Sequence, residues 1–359
     1  MSRSYEASEN TFLMKWTVEN GEAGQRLDHF LKEKYRKRSR EFIQKAIREG
    51  LIKLNHEPSK PSRILRPQDK VYVTSIKKNE PEVDFNYSVI YEDDCLMVVN
   101  KPGNLPVHPT GRFFFNTLLT RLQVDNNNEV DANRLFYIIH RVDRETSGVL
   151  VVGKDKEASA HLTDQFIERK TEKEYLAIAR GRMPEDHYLV KAPLAKDQKS
   201  SLELRMAAVE VDASGKPLYL HEDSVLHAET DIRVVERIGD YTLVRVRPHT
   251  GRQHQIRVHL DHIGFPIAGD KLYGQTNLDA FYRNLRGEGR GVQVEPGLFL
   301  ERHALHAAKL GFTHPRTNQW MEFEAPLSSE LLDFLDQVRT PASERGRRME
   351  PVLTLDPSP

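Results

Sequence analysis

The chain has 359 residues, which is room for about two domains of ordinary size. Its residues are 38% hydrophobic and 30% charged, as is typical of soluble globular proteins. No apolar run approaches the roughly 18 residues of a membrane span and the polar start has no secretory core, so we expect a cytoplasmic protein. The single cysteine, Cys95, excludes an internal disulfide framework and a multi-cysteine zinc site.

The formal net charge of zero conceals an uneven distribution of charge. Residues 24–80 carry 16 Lys and Arg against 7 Asp and Glu, and the rest of the chain is correspondingly acidic. Such a basic segment favours a polyanionic partner, most often nucleic acid. A solvated basic face without a partner would have the same composition.

The basic segment has the pattern of a small α/β domain. Leu27, Phe30 and Leu31 predict one face of a first helix. Ser39 is the expected N-cap of a second helix, which carries apolar residues at 42, 43, 46 and 47 and ends at Gly50. Residues 51–54 and 70–73 predict strands, with a tight turn at Asn55-His56. Cations on and around the second helix are expected to contact the phosphates of a nucleic acid, namely Arg36, Lys37, Arg38, Arg40, Lys45, Arg48 and Lys53.

This segment resembles the S4-type RNA-binding module. It departs from the module at Asn55-His56 and at Gln68-Asp69, where the module has Asn-Gly and Gly-Asp. Since asparagine tolerates a left-handed backbone, we expect the turn at Asn55 to persist.

A second domain is predicted to open with a hairpin formed by residues 88–91 and 96–99. Asn116 is the expected cap of the short helix that follows. The predicted organisation is an N-terminal extension (1–23), an S4-like domain (24–76), a linker (77–86), a catalytic domain (87–339) and a disordered tail (340–359).

The most informative stretch runs from His140 to Gly148. Apolar runs on both sides of it predict a strand, a loop and a strand. Asp143 follows one arginine by two residues and immediately precedes another, which favours an ionised carboxylate. Such a carboxylate is a candidate nucleophile or base, although an Arg–Asp pair that only secures a loop has the same pattern.

His140-Arg141-Val142-Asp143, followed by Thr146-Ser147-Gly148, resembles the HRLDxxTSG signature of the RluA family of pseudouridine synthases. The resemblance implies that Asp143 is the catalytic residue and that Arg141 takes the place of the flipped base. Lys173-Glu174-Tyr175-Leu176-Ala177 is similar to a family element whose tyrosine stacks on the target base. Further residues expected to bind substrate are His140, Arg144, Thr146, His254 and Arg257.

A third block spans residues 242–260. After a strand, Thr250 and Gln253 form a predicted capping box, which places Arg252 in the first turn of a helix. A cation there is unfavourable to the helix dipole unless it faces an anion. The block resembles the family's TGRxHQIR element, which implies that Arg252 pairs with Asp143.

Histidines at 249, 254 and 259 raise the question of a metal site. The block lacks the His-Glu-x-x-His spacing, and its arginines would oppose a bound cation, so no metal is expected. The segment Arg302 to Ala307 resembles the family's RxxLHA element and is expected to pack beside the site. Residues 212–227 and 276–300 receive no role.

The resemblance covers roughly residues 24–327. It implies an α+β fold with a mixed, largely antiparallel central sheet, and an enzyme that isomerises uridines of ribosomal or transfer RNA to pseudouridine without a cofactor. RNA is the expected partner, with no membrane, no obligate protein partner and a monomeric chain. Two alternatives are a non-catalytic RNA-binding protein on a degenerate synthase scaffold and a metal-dependent hydrolase of RNA or nucleotides.

Overall fold

The computed structural model describes residues 11–35, 38–76, 80–113, 115–127, 130–131, 136–200, 202–212, 217–218, 224–274, 282, 292–295 and 298–339. Its α-helices are α1 (Leu27–Lys34), α2 (Arg40–Arg48), α3 (Leu118–Asn127), α4 (Lys156–Ile167), α5 (Gln255–His262) and α6 (Ser329–Arg339). Its β-strands are β1 (Thr11–Thr17), β2 (Ile52–Leu54), β3 (Glu57–Pro58), β4 (Lys70–Ile76), β5 (Ser88–Glu92), β6 (Leu96–Lys101), β7 (Val130–Asp131), β8 (Tyr137–Ile138), β9 (Ser147–Gly153), β10 (Glu172–Arg180), β11 (His187–Val190), β12 (Leu194–Lys196), β13 (Met206–Ala208), β14 (Thr230–Ile238), β15 (Tyr241–Pro248), β16 (Val292–Glu295), β17 (Leu298–Leu300), β18 (Leu305–Thr313) and β19 (Trp320–Glu324). Within these described ranges, no helix is both long enough and apolar enough to cross a bilayer.

The chain forms two compact units, Met1–Val83 with Pro106–Ile138, and Asp84–Leu105 with Ile139–Pro359. These units depart from the predicted domains at two places. Strand β1, predicted as part of an extension, pairs with β4 along its whole length. Residues 106–138, predicted as part of the catalytic domain, group with the first unit, where the Glu80 carboxylate accepts the backbone N–H groups of Phe115 and Asn116. The functional division of the chain stays a prediction.

The first unit is a sheet in the order β3-β2-β4-β1-β7 with α1 and α2. The predicted cap of α2 is confirmed, because the Ser39 hydroxyl accepts the Phe42 backbone N–H at 3.2 Å. The predicted turn is also confirmed, since Asn55 and His56 both adopt positive φ, 52° and 69°. Phe42 differs from the prediction: it is 52% exposed, while Ile43 and the other apolar residues of α2 are buried.

The second unit is built on a sheet in the order β11-β14-β15-β10-β18-β9-β6-β5, with β19 beside β18. Neighbouring strands are antiparallel except β9 and β18, so the predicted mixed, largely antiparallel sheet is confirmed. Strand β10 lies between β15 and β18, and its Tyr175 is opposite Val246 on one side and Ala307 on the other. Ala307 is also opposite Gly148 of β9. The φ angle of Gly148 is +108°. A Cβ at Gly148 would collide with the Ala307 backbone, so only glycine allows this pairing.

Across the two units, the local predictions were right about element type and wrong about two helix caps, those of α3 and α5. The hairpin of β5 and β6 is confirmed. In the first unit, α3 is capped by Thr117, whose hydroxyl accepts the Thr120 N–H, while the Asn116 amide bonds to the Pro81 carbonyl. The cap predicted for α5, at Thr250, does not form either, because this helix begins at Gln255. The first ten residues and the predicted tail, 340–359, lie outside the described residues.

Candidate active site

The loop that carries Asp143 is secured by a buried lysine. The ammonium group of Lys101 donates to the carbonyl oxygens of Pro102, Leu105 and Arg144, at 2.8, 2.9 and 3.2 Å. The Leu105 backbone N–H donates to the same Arg144 carbonyl, and the Thr146 N–H closes a turn onto the Asp143 carbonyl. Burial lowers the pKa of Lys101 well below its usual value. This side chain therefore acts as a hydrogen-bond donor that ties the backbone just after Asp143 to the segment that follows β6.

The two carboxylate oxygens of Asp143 have different surroundings. Arg257 Nη1 donates to Oδ2 at 2.9 Å, and His254 Nε2 lies 3.9 Å from Oδ1. Burial alone would raise the pKa of the Asp143 carboxyl, but His254, which is charged at low pH, and Arg257 hold it well below the ordinary value. Asp143 is thus ionised at neutral pH, with one oxygen held by a guanidinium and the other facing a cavity that Asp143 lines.

The prediction that Arg252 pairs with Asp143 was wrong, because the partner is Arg257. The predicted capping box at Thr250 does not form. Instead, His254 takes a left-handed conformation with φ of 57°, and the helix begins at Gln255. The Gln255 side chain bonds to the Thr250 hydroxyl and the Arg252 N–H, so Arg252 stays on the preceding loop, where its Nε donates to the His227 carbonyl. The arginine in the first turn of the helix that faces an anion is therefore Arg257.

Arg257 is itself held by a second carboxylate that the sequence analysis missed. Asp270 accepts from Nε and Nη2 of Arg257 at 2.7 and 2.8 Å, in a bidentate pair. It also accepts the backbone N–H groups of Leu272 and Tyr273, and its carboxylate is fully buried. A charged pair, Asp270-Lys271, between apolar residues is the signal that could have indicated buried ions here.

A second missed network lies behind the signature loop. Lys271 donates to both oxygens of the buried Glu145, each at 3.0 Å. Arg302, only 3% exposed, donates to the carbonyl oxygens of Glu145, His303 and Leu305 and to the Ser147 hydroxyl. The segment that begins at Arg302 was expected to pack beside the site, and its side chains cross-link the Asp143 loop to the start of β18.

A cavity of about 480 Å³ opens beside Asp143. Tyr175 and Phe166 line it, as do Arg141, Arg252 and Lys173. Burial and the nearby Asp143 charge raise the pKa of Tyr175 to about 12, so the phenol stays neutral. A neutral aromatic wall, basic groups and one ionised carboxylate form a slot suited to a planar, polar-edged ligand with a phosphate backbone.

The other predicted substrate residues fall into two groups. Arg141 is exposed and His254 is nearly buried, and both line the cavity. His140 and Thr146 line the cavity too, but their polar groups, like that of Arg144, have internal partners. The His140 ring stacks on Phe166 and its Nε2 accepts the Val151 N–H, Arg144 pairs with Glu145, and the Thr146 hydroxyl bonds to His303. The contacts of these three side chains shape the loop.

One group of side chains in the described part of the chain has metal-ligand chemistry, away from the cavity: the ligand atoms of Asp93, Cys95 and His314 lie within 4.8 Å of one another. His314 Nδ1 accepts the N–H groups of Arg316 and Thr317, so its proton is on Nε2 and is donated to Asp93 at 2.7 Å. Burial and the charge of Asp93 raise the pKa of the Cys95 thiol to about 11. A protonated thiol and an occupied imidazole fit a structural link better than a cation site.

The predicted RNA-binding cations of the first unit are exposed where the structure describes them. These are Arg38, Arg40, Lys45, Arg48 and Lys53, while Arg36 and Lys37 lie outside the described residues. Arg40 also has a structural partner: it joins Arg26 and Gln44 in bonding to the fully buried Asp28. Arg38 lies over the exposed ring of Phe42, with 5.0 Å from its guanidinium carbon to the ring centroid.

Two family models match the chain. Residues 95–262 match the RNA pseudouridylate synthase model, and residues 25–71 match the S4 domain model. Ribosomal large subunit pseudouridine synthase C of Escherichia coli is 35% identical over 331 residues, which cover 89% of this chain and 94% of that protein. The protein of the same name from Vibrio parahaemolyticus is 32% identical over 90% of this chain and 95% of its own. An uncharacterized RNA pseudouridine synthase of Bacillus subtilis is 31% identical over 90% of this chain and 97% of its own.

Solved structures agree with these matches. Human RNA pseudouridylate synthase domain containing 1 superposes with a TM-score of 0.51 at 25% identity and covers 69% of this chain and 86% of its own. Human RNA pseudouridylate synthase domain containing 4, at 24% identity, shares the fold with a TM-score of 0.52 over 70% of this chain and 93% of its own. With an ionised aspartate in its cleft and relatives that match along nearly its whole length, the chain belongs to the RNA pseudouridylate synthase family.

Proposed function

We propose that this enzyme isomerises uridines of large-subunit ribosomal RNA to pseudouridine in the cytoplasm, as a monomer. Support for ribosomal over transfer RNA comes from the relatives in Vibrio parahaemolyticus and Escherichia coli, which are named for the ribosomal large subunit. The basic first unit supports a large structured RNA, since its cations lie on and around one helix. No observation favours a non-catalytic role, because the ionised carboxylate and its guanidinium partner are both in place.

The observation that carries the proposal is the asymmetry of Asp143. One oxygen is held by Arg257, and the other faces the cavity. In the reaction, the bond from ribose C1′ to uracil N1 breaks, the base turns over, and C1′ bonds to C5, with the C5 proton lost and N1 gaining one. Attack by Asp143 on C1′ and removal of a sugar proton both begin from this ionised oxygen.

Other cavity residues receive roles from their positions. A uridine must leave its stack before C1′ is accessible, at a cost of a few kcal/mol. We assign Arg141, exposed at the cavity, to the space that the uridine vacates, and Tyr175 to the face of the detached base. Since Arg252 lies on the loop before α5, we assign it to the RNA backbone beside the target.

The test is a map of pseudouridines in RNA from cells that lack the gene. We expect one or a few positions of large-subunit ribosomal RNA to remain uridine. The wild-type gene should restore them, and a gene encoding Asp143→Asn should not. Loss confined to transfer RNA would refute the assigned RNA class, and an unchanged map would refute the function.

A further inference from the structure

His254 occupies an unusual place between the Arg252 loop and α5. It is the residue before the helix, its φ is 57°, and its side chain is only 8% exposed while lining the cavity. A left-handed backbone at a residue other than glycine is strained and is often retained at functional sites. The imidazole is therefore held in place by the backbone as well as by its neighbours.

The position of the imidazole proton follows from Tyr273. The Met206 backbone N–H donates to the Tyr273 hydroxyl at 3.0 Å, and that hydroxyl lies 2.8 Å from His254 Nδ1. Burial raises the pKa of the Tyr273 phenol, so the hydroxyl keeps its hydrogen, and Nδ1 is the acceptor that the described residues offer it. Burial lowers the pKa of His254 to about 4, so the ring is neutral and carries its one proton on Nε2.

The Nε2–H group faces the reacting carboxylate but is not bonded to it. Its distance to Asp143 Oδ1 is 3.9 Å, which is too long for a hydrogen bond. Among the described residues, the structure gives this nitrogen no hydrogen-bond partner. A nearly buried donor thus opens into the cavity next to the oxygen that acts on the sugar.

We propose that His254 Nε2–H donates to the O2 carbonyl of the target uracil and stabilises the base as it leaves the sugar. This proposal rests on the proposed function. When the C1′–N1 bond breaks, its electron pair stays on the base and spreads over N1 and the carbonyl oxygens. O2 is attached to the carbon next to N1, so a donor close to the oxygen that acts at the sugar is well placed to reach it. His254 keeps its proton throughout, and the proton lost from C5 leaves separately.

Substitutions at His254 separate a hydrogen-bond role from a structural one. Gln at 254 can place an amide N–H near the position of Nε2, whereas Asn is too short, although it tolerates the left-handed backbone better. We would measure single-turnover tritium release from RNA that carries the mapped uridine labelled at C5. Asn should lower the rate about 100- to 1,000-fold with unchanged RNA affinity, as for loss of one donor to a developing anion, and Gln should stay within about tenfold of wild type.

Two further measurements sharpen the test. Tyr273→Phe removes the group that fixes the proton on Nε2 and should slow release about tenfold, with thermal unfolding as the control for folding. RNA with 2-thiouridine at the target offers a weaker acceptor than O2, so it should slow the wild type roughly five- to tenfold and leave the Asn variant no slower. Equal rates for Gln and Asn, or equal thio effects in wild type and the Asn variant, would overturn the inference. No tritium release by the wild type would overturn the proposed function and this inference with it.

Discussion

Replacing Arg257 by glutamine should damage the protein far more than the same replacement of Arg252. Arg257 is 5% exposed and binds two carboxylates through three N–H···O bonds. Removing it leaves Asp143 and Asp270 without their shared cation, and loss of one partner from a buried ion pair costs about 3–5 kcal/mol. Arg252 makes one bond to a backbone carbonyl, worth about 1 kcal/mol.

Urea unfolding at pH 7 measures the difference in the free energy of unfolding. The double variant Arg257→Gln, Asp270→Asn should recover much of the lost stability, because no unpaired charge remains at residue 270. In that variant, the pKa of Asp143 should rise towards its usual value, since the guanidinium that favours its charged form is gone. The acidic limb of the rate profile should then move to higher pH.

The sign of the stability effect follows from the lowered pKa of Asp143. Its contribution is fully present above the unfolded value of about 3.9 and is lost as the pH falls through the folded value. The double variant should therefore lose less stability on acidification than the wild type. Equal destabilisation by Arg257→Gln and Arg252→Gln would refute the assignment of Arg257 as the partner of Asp143. A shift of the acidic limb of the rate profile in the Arg252→Gln variant would refute it as well.

Three further outcomes are expected. Asp143→Asn should abolish tritium release while RNA affinity in filter binding stays within about twofold, and undiminished turnover would contradict its catalytic role. Asp28→Asn should lower the free energy of unfolding at pH 7 by roughly 1–3 kcal/mol, because the arginines bonded to Asp28 lose their buried anion. Since the pKa of Asp28 is lowered in the fold, this difference should begin to shrink below about pH 3.9, the unfolded value, and should vanish only below the folded value; a gap that stays constant from about pH 7 down to about pH 2 in urea titrations would contradict it. Alanine replacement of the exposed cations Arg38, Lys45 and Arg48 should reduce the slope of log affinity against log salt by about 0.7 for each phosphate that is no longer neutralised. The control Lys196→Ala, in the other unit, should leave the slope unchanged. An unaltered slope for the triple variant would show that these three cations do not contact the RNA.

Features that depend on residues near one another in the chain could be predicted from the sequence. The cap at Ser39 and the left-handed turn at Asn55 depend on the chemistry of a few consecutive residues. The charged state of Asp143 was predicted from the arginines beside it in sequence, but in the structure the groups that lower its pKa are His254 and Arg257, while Arg144 pairs with Glu145. The resemblance supplied Tyr175, which the pattern of its strand alone would not have distinguished from an ordinary core tyrosine.

The partner of Asp143 could not be predicted, because it depends on contacts across the fold. The start of α5 is set by Gln255, which bonds to Thr250, Arg252 and the Glu229 carbonyl, and by the left-handed His254. A prediction that begins the helix at Thr250 puts the wrong arginine in the first turn. Asp270 lies outside every signature, 13 residues after Arg257, and nothing in the intervening sequence indicates that the chain turns back to bond it to that arginine.

The central position of β10 has a consequence for how this enzyme chooses its targets. Strand β10 carries Tyr175. Its two neighbours in the sheet are β15, which leads to α5, and β18, whose start is cross-linked to the Asp143 loop. Groups mounted on adjacent strands move together, so the catalytic geometry has little freedom to adapt to a poorly placed nucleotide. We therefore expect discrimination to depend on the RNA, with sites whose uridine leaves its stack at low energetic cost modified in preference to rigidly stacked sites.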